Sequence, residues 1–382
     1  MRIVHTSDWH IGKTLNDYSL LKDQEICLFA FADRIHELCT DALIISGDLY
    51  DRSVPSAEAV SLLDRLFSYL TGACGIEVFA IAGNHDSRER IDFGSRMMDS
   101  AGLHLVGSVR RPVSSFDLKK GDETVTIWML PYFELHHIRA LFPEDPPKNL
   151  QKAFDLCLSQ IQEKADFSHP QILAAHGFYT VGGTADETSL GGGEHLILRE
   201  NPFDYIALGH LHGCHSAGDD TIRYSGSPLK YSVDEAAQKK RFLILDFQDN
   251  ILQSIQEESF TAEKDVRMIR GTLDELCDKS RQSGFSDYVF AELSDECIRV
   301  GAIQRLKAVF PNALGLKYTN LQNSISARSA ANPIVRTADP QALFADFFQS
   351  VMNRALTDAE RAYIKGISDK QEKGDFRDTS TA

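Results

Sequence analysis

The chain has 382 residues, 43% of them hydrophobic and 25% charged, and carries a net charge of −15. This balance suits a soluble protein of two or three domains; no run approaches the about 18 apolar residues of a membrane span, and the amino terminus enters its first strand without a charged and apolar leader, so a cytoplasmic protein is expected. Seven cysteines, at positions 27, 39, 74, 157, 214, 277 and 297, show no close pairing and read as reduced, buried thiols, and the acidic total argues against a chain that grips nucleic acid unaided.

The first predicted strand, Ile3–His5, ends in Thr6-Ser7-Asp8-Trp9-His10. Leu28, Phe31, Ile35 and Leu38 then fall on one face of a helix. The run Ala42–Ile45 ends in Ser46-Gly47-Asp48-Leu49-Tyr50-Asp51, and after a Ser56 cap a second helix presents Val60, Leu63, Phe67 and Leu70. Val78–Ile81 ends in Ala82-Gly83-Asn84-His85-Asp86, and a hairpin-like pair, Arg110–Leu118 and Thr124–Leu130, follows. Ile172–Ala174 ends in Ala175-His176-Gly177, and Tyr205–Leu208 ends in Gly209-His210-Leu211-His212. Thr221–Ser225 and Arg241–Asp246 supply further strands. Alternating strands and helices predict an α/β fold of two packed sheets flanked by helices. The Gly191-Gly192-Gly193 cluster lacks the lysine of a phosphate-binding loop and reads as a mobile loop.

Five of these strands end in Asp, Asn or His, at the edge where open α/β sheets bind ligands. That edge gathers carboxylates from Asp8 and Asp48, an amide oxygen from Asn84, and imidazoles from His10, His176, His210 and His212. These are too many O and N donors for one zinc, and none is a thiolate. They suit two divalent ions of harder character, manganese first and magnesium or iron next. Two carboxylates against two such ions leave about +2 by simple counting, which favours a phosphate ester and an ionised water. Singly, each segment reads as a turn or surface loop. The five together, each after a strand, point to phosphoester hydrolysis.

These five segments resemble the motif set of the calcineurin-like metallophosphoesterases. Residues Met1–Lys13 and Gly83–Ser87, the Gly-rich stretch Val181–His195, Tyr224-Ser225-Gly226-Ser227-Pro228 and the turn from Asp234-Glu235 to Lys239-Lys240 resemble, within them, the SbcD family of Mre-type repair nucleases. The resemblance implies one metal held by Asp8, His10, Asp48 and His212, and another by Asp48, Asn84, His176 and His210, with Asp48 bridging. It implies that His85 is catalytic, since an imidazole beside metals can stabilise phosphoryl charge or protonate a leaving oxygen. Asp86 is either an orienting partner for His85 or a turn cap. Archaeal and eukaryotic relatives carry a histidine where this chain has Asp51, so Asp51 is left as an orienting residue of open role. Lys13, Arg52, Arg88 and Arg90 flank the metal loops, within reach of a DNA backbone or simply solvated. The implied partner is an SbcC-type coiled-coil ATPase that supplies much of the DNA grip, with a homodimer of this chain inside a heterotetramer.

Beyond about residue 260 the pattern changes. Asp265–Arg270, Tyr288–Leu293 and Leu314–Tyr318 read as strands, and Thr272–Arg281 and Ile303–Phe310 as helices, a small α+β unit resembling the family's capping domain. Ser324–Thr337 reads as a linker. Pro340–Met352, with Leu343, Phe344, Phe347, Phe348 and Val351, reads as an amphipathic helix, followed by a second over Asp358–Ile367. The expected division is 1–260 nuclease domain, 261–323 cap, 324–337 linker, 338–370 C-terminal helix pair for ATPase docking and 371–382 a disordered tail. Three functions compete: a DNA exonuclease and endonuclease acting at ends and hairpins in DNA repair, recombination and replication; a phosphatase or phosphodiesterase for small nucleotides; and a non-catalytic scaffold.

Overall fold

A computed structural model of the protein describes residues 1–181, 195–199, 201–280 and 286–319, together with 344–345, 348–349 and 354–363. The chain divides into two units: Met1–Ile269 with Gly284–Phe290 and Phe310–Gly315, and Arg270–Ser283 with Ala291–Val309 and Leu316–Ala382.

In the first unit the described strands and helices follow as β1 (Arg2–Thr6), α1 (Leu21–Glu37), β2 (Ala42–Ser46), α2 (Ala57–Ser68), β3 (Glu77–Ile81), β4 (Leu103–Val106), β5 (Ser114–Lys120), β6 (Glu123–Leu130), α3 (Leu150–Lys164), β7 (Gln171–His176), β8 (Tyr205–Gly209), β9 (Ile222–Tyr224), β10 (Arg241–Gln248) and β11 (Ile251–Ser259), besides shorter elements. One sheet runs β11-β10-β1-β2-β3-β4. In it β1 to β4 are parallel, and Ile3 lies opposite Ala42 on one side and Leu245 of antiparallel β10 on the other. The other runs β9-β8-β7-β6-β5, with β6 to β9 parallel and a two-residue strand, His215–Ser216, beyond β9.

The period of two along each strand sorts side chains into three layers. Val4, Leu43, Ile45, Val78 and Ala80 face Leu28, Phe31 and Ile35 of α1 and Leu62 and Leu66 of α2. Ile3, Ile44, Phe79 and Ile81 face Ile127, Met129, Ile172, Tyr205 and Ala207 of the second sheet. Trp128, Leu130, Leu173, Ile206 and Leu208 face Phe154, Cys157 and Ile161 of α3. Each fully buried Leu or Ile contributes about 1.5–3 kcal/mol relative to exposure, which fixes strand register against slippage.

Three expectations change. Val60 is 45% exposed, because the apolar stripe of α2 runs through Ala59, Leu62, Leu63, Leu66 and Phe67 behind the Ser56 cap, whose hydroxyl accepts from the Ala59 amide at 3.2 Å. The hairpin's first strand begins at Ser114 and not Arg110, since Pro112 has no amide to give the ladder. Of the seven free thiols, Cys27, Cys157 and Cys277 are buried, whereas Cys39 and Cys297 are exposed.

The second unit holds the helices Leu273–Ser280 and Ala302–Val309, bridged by Arg305 to Asp274 at 2.6 Å, and the carboxyl-terminal parts of the strands Val266–Gly271, Tyr288–Leu293 and Ala313–Tyr318, which lie in chain order in their sheet. Among the described residues near the carboxyl end, 344–345, 348–349 and 358–363 are helical. The glycine cluster at 191–193, the linker 324–337, the tail, and most of the two expected terminal helices lie outside the described residues. No described helix is long and apolar enough to cross a membrane.

Candidate metal centre

The loops after β1, β2, β3, β7 and β8 meet, and the backbone is shaped for that meeting. The Asp8 amide donates to the Gly47 carbonyl at 3.0 Å and the His10 amide to the Asp48 carbonyl at 2.9 Å, so the first two loops are zipped together. Asp8, His10 and Asp48 have positive φ values of 53°, 44° and 53°, and His210 stands at 107°. Non-glycine residues avoid this region, so holding four donors there costs of order 1–3 kcal/mol each, strain of the kind that collects at functional sites. Two glycines let the loops close up. A Cβ on Gly47, itself at φ 92°, would collide with the His176 ring, and one on Gly83 would collide with the Asp48 carboxylate.

Asp48 lies at the centre. Its Oδ2 is 3.5 Å from His10 Nε2 and 3.5 Å from His176 Nε2, while its Oδ1 accepts the His85 amide at 2.9 Å. On one side His10 Nε2 faces His212 Nε2 at 3.1 Å, and one ligand atom each of Asp8, His10 and His212 fits within 4.8 Å. On the other side Asn84 Oδ1 is 3.0 Å from both His176 Nε2 and His210 Nδ1. Asp8, His10, Asp48 and His176 are 2% exposed or less. The structure therefore brings all seven expected donors into one cluster, in two groups that share Asp48.

Electrostatics divides the groups. Burial disfavours the Asp48 charge, but His176 and then His10 outweigh it and hold the carboxyl well below its usual range. Burial likewise opposes charge on His176, yet Asp48 lifts its pKa to about 9. Burial pushes His10 down to about 3 and His210 to about 4, and raises Asp8. Burial thus keeps His10 and His210 neutral beside the Asp48 carboxylate, and neutral imidazoles and a carboxylate converging on one spot suit cations. The O and N donor set, free of sulfur, fits harder divalent ions.

His85 is half-buried, its ring edge-on to His10 with centroids 4.7 Å apart. Its Nδ1 donates to the backbone carbonyl of Asp51 at 2.9 Å, which leaves Nε2 as the nitrogen for a phosphate. Of the two sequence readings for Asp86, the structure gives the cap: its carboxylate accepts the amides of Leu49, Tyr50 and Gly83 at 2.9 to 3.0 Å, tying the second loop to the third. Burial and then Asp48 push its pKa up to about 6. The Asp51 carboxylate pairs with Lys13 at 2.7 Å and lies 3.8 Å from His10 Nδ1. Of the cations flanking the loops, Lys13 is thus engaged by Asp51, Arg88 lies 3.6 Å from Glu89, Arg52 is exposed with Asp51 at 3.7 Å, and Arg90 is exposed.

Sequence reading assigned no role to the groups that hold the donors from behind. Ser225 donates to Ser7 at 2.8 Å and Ser7 to Asp8 at 2.5 Å, which gives the Tyr-Ser-Gly-Ser-Pro segment its place. His176 Nδ1 donates to the Ser46 carbonyl at 2.8 Å, and His212 Nδ1 meets Glu235 at 2.9 Å. The signal for Glu235 was its place in the Asp234-Glu235 to Lys239-Lys240 turn, but nothing in the spacing ties it to His212.

The sandwich and its edge cluster define a class of protein. The calcineurin-like phosphoesterase family matches residues 1–214, more than half of the chain, and the chain belongs to it. A second family, described as type 5 capsule protein repressor C-terminal domain, matches residues 263–352. The SbcD component of the SbcCD nuclease of Staphylococcus epidermidis is 30% identical over 375 residues, which is 96% of this chain and 98% of that protein, so within the class the chain belongs to the SbcD family. A crystal structure of a hypothetical protein from Thermus thermophilus covers 69% of this chain and 100% of its own, at 16% identity and a TM-score of 0.33, a likeness too slight to bear on function.

Proposed function

We propose that the chain is a metal-dependent DNA nuclease, an exonuclease and endonuclease acting at DNA ends and hairpins together with an SbcC-type ATPase. The observation that carries this is the position of the Asp48 carboxylate, 3.5 Å from a histidine nitrogen of each donor group. Asp8, His10, Asp48 and His212 hold one divalent ion, and Asp48, Asn84, His176 and His210 the other, with manganese the first choice for this donor set. When bound, such ions lower the pKa of an attacking water and neutralise phosphoryl oxygens. The chain's own part is to hold the donors in a strained, preorganised arrangement and to present His85. With its Nδ1 tied to a carbonyl, His85 meets the phosphoryl group or leaving oxygen through Nε2, stabilising charge there or giving up a proton.

The remaining parts follow the same reading. Residues 261–323 serve to limit which DNA structures enter, and 338–370 are the segment that docks on the ATPase coiled coil. Because the chain carries −15, the ATPase supplies much of the affinity for phosphates. An apolar surface supports a homodimer within a heterotetramer: Phe93 and Met97 are 81% and 83% exposed, and nearby Val60, Leu63, Phe67 and Leu105 line a cavity of about 840 Å³.

The test is to incubate the protein with a DNA hairpin, a linear duplex and a small phosphodiester, each with manganese, with magnesium and with chelator. Cleavage of DNA with manganese, abolished by Asp48→Ala, is the expected result. Turnover of the small ester without DNA cleavage, even with an SbcC-type ATPase and ATP present, would replace the nuclease reading with that of a small-nucleotide phosphodiesterase.

A further inference from the structure

Glu235 lies in the short turn Val233–Ala237, 6% exposed, in a position where a carboxylate is costly. Every direction around it is occupied. Its Oε1 meets His212 Nδ1 at 2.9 Å and the Ser232 hydroxyl at 3.3 Å. Its Oε2 accepts from Lys240 Nζ at 2.5 Å and from the Tyr231 amide at 3.2 Å. Lys240, its side chain 7% exposed just before β10, also places its Nζ 2.9 Å from each of the His212 carbonyl, the Ser227 hydroxyl and the Gln238 amide oxygen. Removing two charges from water costs several kcal/mol per ion, and the surface turn that Glu235 closes needs no such pair.

The geometry gives the pair an occupation. An ionised carboxylate only accepts, so the proton between Glu235 and His212 sits on Nδ1 and the lone pair on Nε2, the nitrogen that faces His10 at 3.1 Å. Lys240 neutralises Glu235 and also holds the main-chain carbonyl of the residue whose ring Glu235 orients, so ring and backbone are fixed from one anchor. The same design recurs more loosely behind His10, where the Asp51–Lys13 pair stands 3.8 Å from Nδ1. His176 differs, its Nδ1 donating to the Ser46 backbone carbonyl at 2.8 Å.

We infer that Glu235, held by Lys240, is a positioning residue that fixes the tautomer and orientation of His212 for one metal ion of the pair, and has no part in holding the other. This rests on the two-metal reading above. The test titrates manganese into the full chain and follows each binding step by calorimetry and by the manganese electron paramagnetic resonance signal, for the parent, Glu235→Gln and Glu235→Ala. Orienting partners of metal-bound histidines are worth about 10–100-fold in affinity. The expected result is two manganese ions in the parent, one step weakened about tenfold in Glu235→Gln and about 100-fold in Glu235→Ala, and the other step unchanged. Glu235→Gln keeps the shape and carries the test if Glu235→Ala does not fold. Parental affinity at both steps in the variants would overturn the inference. So would parallel weakening of both steps with a lowered melting temperature of the metal-free protein, the mark of a merely structural pair. Absence of manganese binding by the parent would overturn the two-metal reading itself, and this inference with it.

Discussion

The two halves of the metal centre are braced by different means. On the His176 side the ring is held by the Ser46 backbone carbonyl, at the end of a strand buried on both faces. On the His10 and His212 side the rings are backed by the carboxylate–lysine pairs Asp51–Lys13 and Glu235–Lys240, drawn from loops and turns. A backbone brace cannot be mutated away without remaking the sheet, whereas a side-chain brace can be adjusted one residue at a time. His176 is therefore held by the fold itself, whereas the braces of His10 and His212 are open to single substitutions.

The largest effect is expected where the halves meet. Asp48→Ala removes the shared carboxylate, so manganese should leave both halves and DNA cleavage should fall to background; metal retained at either half, measured by calorimetry, would break the symmetry claimed for Asp48. His85→Ala should keep both manganese ions while cleavage falls about 10²–10⁴-fold, the usual worth of a proton-transferring or charge-stabilising group; unimpaired single-turnover cleavage would strip His85 of its role.

Smaller effects sharpen the contrast between braces. Asp51→Asn should weaken manganese by less than Glu235→Gln does, because its carboxylate stands 3.8 Å from His10 Nδ1 against 2.9 Å for Glu235 and His212. An equal or larger effect would mean that Asp51 closes on His10 when metal binds. Beneath the backbone-braced half, His5 is wholly buried between the Tyr205 hydroxyl and Ser46 Oγ, and burial pushes its pKa down to about 3 from an ordinary 6.5. The unfolded chain therefore takes up a proton that the fold refuses between pH 6.5 and 3. This contribution to stability is complete above about pH 6.5 and is lost as pH falls, by up to about 1.4 kcal/mol for each pH unit. Denaturant melts of the metal-free protein at several pH values should show that slope, flattened in His5→Asn; an unchanged slope would assign the acid sensitivity elsewhere. Replacing Phe93 and Met97 by Glu should yield monomers in sedimentation without altering manganese affinity.

What could be read in the sequence follows from the same division. Strands buried on both faces appear as unbroken apolar runs, and the Asp, Asn and His that end them were visible because a sheet edge gathers consecutive loops. Braces were not visible. Glu235 reaches His212 across a turn whose path no periodicity encodes, and the Ser46 carbonyl belongs to the backbone and has no residue signature. Asp86 had two readings from sequence because Asp suits both capping and orienting; three backbone amides converging on it decide for the cap. Val60 followed helical spacing yet faces outward, where Phe93, which lines the same cavity, is also exposed.

The most direct test of the central claim is anomalous diffraction at the manganese edge from crystals of the protein grown with manganese. Two peaks, one among Asp8, His10 and His212 and one among Asn84, His176 and His210, with Asp48 touching both, are the predicted result. A single peak, or peaks that do not share Asp48, would contradict it.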